Sequence, residues 1–161
     1  MAAGSEAAVT LILAHAPSVN ATDSDGFSAL YHAQTNQAAA VVARLRNAGA
    51  VESALELVAR NQCADLKTLL TTNRPGEAAL PWAHSPLSLA IHLTNVVATK
   101  LLLAAGANPN APWPAPPRPS SRPGATNTAR LLHAAVMLEQ PALVRLLLEH
   151  STDAKAFDAA G

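Results

Sequence analysis

The chain has 161 residues, half of them hydrophobic but only 3% aromatic, and small aliphatic side chains must fill its core. Charged residues make up 14%, against roughly 25% in typical domains, which excludes a disordered, highly charged chain. The formal net charge is zero and no run of Lys or Arg stands out, so no general field draws in nucleic acid or anionic lipid.

The length fits one domain, 1–161, large enough to bury a real core. No apolar run approaches the roughly 20 residues needed to span a bilayer. A single cysteine, Cys63, cannot form an internal disulfide. The expectation is therefore an intracellular protein, cytoplasmic or nuclear. The first apolar stretch, AAVTLILAHA at 7–16, ends like a signal-peptide cleavage site. It lacks the basic residues such a signal needs, and Glu6 precedes it. Asn20-Ala21-Thr22 fits the glycosylation acceptor pattern, which matters only in the secretory pathway, and is read as chance.

Along the chain a short opening phrase recurs: SALYHA from Ser28, SALELVA from Ser53, SPLSLAI from Ser85 and RLLHAAV from Arg130. The equivalent leucines are Leu30, Leu55, Leu87 and Leu132, successively 25, 32 and 45 residues apart. The variation sits in the connectors, where insertions cost little closure entropy. Each unit reads as two short antiparallel helices. Ser85 is placed to cap a helix that Pro86 opens, and Pro141 opens another. Apolar residues follow at helical spacing: Leu87, Ala90 and Ile91, then Val97, Leu101 and Ala104.

The leucine triplet in LLLAAGANPNA, at 101–111, covers too wide an arc for one buried stripe and suits a helix pressed from several sides. Gly106 then takes the left-handed conformation that ends helices. Asn108 and Pro109 set the turn that follows. Residues 112–124, PWPAPPRPSSRPG, read as an extended spacer, with docking to a proline-binding domain as the sharper alternative.

The repeated phrase, the leucine triplets and the Gly-Ala-Asn-Pro-Asn-Ala that closes one of them resemble the ankyrin repeat family. The stretches that carry the likeness are 18–30, 85–91, 101–111 and 131–136. The resemblance implies an all-α fold, an ankyrin-type solenoid of stacked antiparallel helix pairs with short or degenerate hairpin connectors. Units would run 1–25 (partial), 26–52, 53–83, 84–125 and 126–161. The pattern's His survives only as His133; Tyr31, Glu56 and Ser88 replace it elsewhere. Neither end carries a polar capping repeat, which suggests a piece of a longer array or ends covered by a partner.

The resemblance further implies a non-enzymatic interaction module that binds a partner protein through the concave surface of hairpin tips and first helices. The contact positions would be Thr22, Ser24, Asp25, Phe27, Tyr31 and Gln34 in the best-preserved hairpin. Arg60, Asn61, His92, Met137 and Leu138 would serve in later units. Phe27, Trp82 and Trp113 are the aromatic anchors, although Trp82 reads equally well as a cover over the core. The alternative is a structural or regulatory segment that packs against other domains of a larger polypeptide.

No cofactor is expected. The six histidines are scattered; none pairs with another or with Cys63 at metal-ligand spacing. His15 and His150 sit near helix C-termini, where positive charge is favourable. No nucleophile elbow or phosphate-cradling loop is present in the sequence, so catalysis is not expected.

Overall fold

The computed structural model describes residues 18–72, 85–111 and 130–150. Among these residues it is all-α: α1 (Ala29–Thr35), α2 (Ala39–Asn47), α3 (Ala54–Ala59), α4 (Cys63–Thr72), α5 (Pro86–His92), α6 (Val96–Ala104), α7 (Leu131–Met137) and α8 (Pro141–Glu149). The chain divides into two compact units, Met1–Glu56 and Leu57–Gly161, and the division falls inside α3. Residues 1–17 of the expected partial unit 1–25, Trp82, Trp113 and the proline-rich segment 112–124 lie outside the described residues.

In the first unit α1 packs on α2. Leu30, Ala33, Leu45 and Ala50 form the core, with Val19, Val41 and Val42 packed at its edge. Ser28 starts α1 in an extended conformation, and its hydroxyl accepts the Tyr31 N–H at 3.3 Å. That bond satisfies one of the donors a helix N-terminus leaves unpaired.

In the second unit α5 packs on α6 and α7, while α6 also packs on α4 and α8, and α7 packs on α8. Leu66, Leu87, Ile91, Leu102, Leu131, Leu143 and Leu147 are all buried to within 2% of full enclosure. The layers are tied by polar groups as well. Asn95 caps α6 by accepting the Ala98 N–H at 3.0 Å, and its amide donates to Asn61 Oδ1 at 2.8 Å. Cys63, half-buried at the start of α4, sits beside both asparagines.

Among the described residues every helix pair closes its inner turn in the same way. Gln37, Asn61, Thr94 and Glu139 each adopt a left-handed backbone, with φ of 55°, 56°, 52° and 54°. In each case the residue's N–H bonds back three positions and the next N–H bonds back five, as in Thr94 to Ile91 and Asn95 to Ala90. This is the Schellman closure, which satisfies the last carbonyls of a helix and reverses the chain. The second helices α2 and α6 end by the same closure with glycine at the left-handed position, Gly49 at φ 91° and Gly106 at φ 90°. Gly106 therefore behaves as the sequence requires. Asn108 does too: its side chain accepts the Asn110 N–H at 2.9 Å.

Two local expectations need correction. Ser85 stands at the start of α5 with Pro86 in the first helical position, but its hydroxyl makes no capping bond. Its ψ is 131°, against 167° at Ser28 where the cap does form. On α6 the buried face is Ala98, Thr99, Leu102 and Leu103, whereas Val97 is 58% exposed and Leu101 only half-buried. The expected stripe of Val97, Leu101 and Ala104 lies to one side of the true one. Three consecutive leucines leave the helix phase open, and the neighbours α4, α5 and α8 settle it.

Candidate functional site

The hairpin at 22–28 is built around one carboxylate. Thr22 and Ser28 form an isolated antiparallel bridge, and Asp23 donates its N–H to the Phe27 carbonyl at 2.9 Å. Asp23 Oδ1 accepts the N–H groups of Asp25 at 2.9 Å and Phe27 at 3.0 Å. Such a side-chain turn holds a tight loop without further packing. Asp23 Oδ2 meets His32 Nε2 at 2.7 Å, tying the hairpin tip to α1. The His32 bond, then the Phe27 N–H, hold the Asp23 carboxyl below its ordinary range, against a small opposing effect of desolvation.

This scaffold poses an aromatic ledge. Phe27 stacks on Tyr31 with ring centres 4.2 Å apart and planes 17° apart. His32 meets Phe27 edge-on at 6.4 Å and Tyr31 at 5.6 Å. The base of the hairpin is pinned by Asn20, whose amide donates to the Gly49 carbonyl at 3.3 Å and accepts the Val51 N–H at 2.9 Å. The Asn20 side chain is thus committed to shaping the fold.

Of the expected contact residues, Thr22, Ser24 and Asp25 are exposed on the hairpin, with Phe27 and Tyr31 half-buried beside them. These five come together. Gln34 points elsewhere: its amide bonds the Glu52 carboxyl, which Arg46 also approaches at 3.5 Å. In the second unit the remaining positions recur at the C-terminal ends of first helices. Arg60 and Asn61 follow α3, His92 ends α5, and Met137 and Leu138 close α7. Met137 is 61% exposed. Asn61 is occupied by its bond with Asn95.

Sequence reasoning passed over Asp23 and His32, which do most to set the ledge. The Asp-x-x-x-Phe spacing ahead of a helix start was the available signal. Among the described residues no group of three or more His, Cys, Asp or Glu side chains is placed to hold a metal. No helix among them is long and apolar enough to cross a membrane. No protein-family model matches the chain, and no curated protein matches it in sequence.

Proposed function

We propose that this protein is a non-enzymatic interaction module whose helix pairs stack as an ankyrin-type array and whose hairpin edge binds a partner protein. The observation that carries this reading is the Phe27–Tyr31 stack, posed at a hairpin tip by Asp23 and His32. Aromatic residues are scarce in this chain, and three of its aromatic and imidazole rings converge on one surface. Rigid aromatic groups at a surface bind partners at low cost in conformational entropy. The common left-handed closure in the four helix pairs among the described residues supports a repeat architecture. So does the packing of α5 on α7 and of α6 on α8, first helix on first and second on second.

Affinity capture with mass spectrometry tests the reading, comparing the native chain with Phe27→Ala and Tyr31→Ala. A protein captured by the native chain and lost from both variants, with circular dichroism melts little changed, is the expected result. Capture of the same proteins by all three chains overturns the assignment to this surface. Unfolding of Phe27→Ala would show that the ring serves the core instead.

A further inference from the structure

The aromatic ledge is acidic as well as aromatic. Asp23 and Asp25 are the only Lys, Arg, Asp or Glu residues between positions 18 and 43, and no Lys or Arg precedes Arg44. Both carboxylates belong to the hairpin that carries Phe27. Asp23 Oδ1 accepts the N–H groups of Asp25 at 2.9 Å and of Phe27 at 3.0 Å, which holds those two residues side by side on the tip. The other Asp23 oxygen meets His32 at 2.7 Å, so Asp23 is committed to the scaffold. Asp25 is exposed, and Phe27 and Tyr31 are half-buried. On α2, Arg46 is drawn to Glu52, at 3.5 Å.

A partner that covers the rings brings its surface up to Asp25 as well. Taking a carboxylate out of water without a positive or donor group to meet it is costly, which disfavours an apolar or acidic partner surface. The faces of the rings are negative too, and attract a cation. Of the two basic side chains, arginine answers both demands. Its planar guanidinium lies flat on an aromatic face and forks two N–H groups onto a carboxylate, whereas lysine is a compact, strongly hydrated point charge. We propose, resting on the reading of this ledge as the partner surface, that the partner segment seated on it presents an arginine. Its guanidinium lies against the Phe27–Tyr31 stack and donates to the Asp25 carboxylate.

Selection of random peptides of about twelve residues, displayed on phage, against the full chain tests this. Binders that need Phe27 and Tyr31 should share an arginine. In such a peptide, made synthetically, citrulline in place of that arginine keeps the planar shape and removes the charge, and should weaken binding at least ~10-fold. Lysine there should restore only part of it. Asp25→Asn in the protein, with an unchanged circular dichroism melt, should weaken the arginine peptide and leave the citrulline peptide as it was. Binders that need Phe27 and Tyr31 but carry no arginine, or that bind equally well with citrulline, overturn the proposal and leave the ledge standing as the partner surface. A selection that yields only peptides bound equally by Phe27→Ala and Tyr31→Ala, or none, overturns the ledge reading and the proposal with it.

Discussion

The carboxyl group of Glu56 bonds the backbone of Ser28, 28 residues away, through one oxygen at 2.8 Å. The other oxygen accepts the Ser53 N–H, also at 2.8 Å. The Ser53 hydroxyl accepts the Glu56 N–H in return at 3.3 Å. Together these form a capping box at the start of α3, extended by a long-range tie to the start of α1. Glu56 is 1% exposed, so losing its carboxylate strands the buried Ser28 N–H and the half-buried Ser53 N–H. Glu56→Ala should therefore cost about 3 kcal/mol, read as the urea midpoint of unfolding. Glu56→Gln should cost less, about 1–2 kcal/mol, because one oxygen remains to accept. Equal midpoints for all three chains would leave the tie without energetic weight.

The left-handed turn residues allow a test of opposite sign. Thr94 is β-branched and sits at φ 52°, a conformation costing roughly 1–2 kcal/mol for a residue with a Cβ. Thr94→Gly should relieve that strain, less the added freedom of the unfolded chain, for a net gain of about 0.5–1 kcal/mol. Gly106→Ala should lose about 1 kcal/mol. A Cβ at Gly106 would meet nothing within 4 Å, so that loss is purely conformational. Thermal melts of the two variants should move in opposite directions.

The leucine triplets show how far the sequence could be read. The helices at 101–103 and 146–148 were legible from composition alone, and Gly106 fixed where the first one stops. Which leucine points inward was not legible, because three adjacent apolar residues span more than half the helix circumference. The middle one is buried in both triplets, Leu102 at 1% and Leu147 at 0% exposure, and in the first triplet Leu103, at 4%, joins it. Leu102→Ala should consequently cost about 2–5 kcal/mol, and Leu101→Ala clearly less. Leu87→Ala belongs with the first group, at 2% exposure. Denaturant titrations that rank Leu101→Ala as the worst of the three would contradict this helix phase.

The candidate site was legible in part. Phe27 stood out because aromatic residues are rare and because it precedes a helix start. Its surroundings did not, since Asp23 and His32 are nine residues apart and meet only once the hairpin folds back onto α1. The partner of Gln34 was not legible for a similar reason: Glu52, 18 residues on, returns to take its amide. Contacts made by chain reversal leave no trace in local spacing.

The Asp23–His32 pair predicts a pH dependence with a definite sign. The carboxyl of Asp23 is held below its ordinary value of 3.8, first by the His32 bond and then by the Phe27 N–H. A group whose folded value is depressed stabilises the fold above its unfolded value, and that stabilisation is lost as pH falls through the folded value. Asp23→Asn keeps an oxygen for the Asp25 and Phe27 N–H groups but removes the charge that His32 meets. The native chain should thus melt higher than Asp23→Asn near neutral pH. The gap should narrow as pH falls below about 3.8 and through the depressed folded value. Both partners are exposed, so added salt should narrow the gap as well. Melting curves of the two chains at a series of pH values, at low and high salt, provide the measurement. A gap that holds constant into acid would mean that the carboxylate charge does not secure the hairpin.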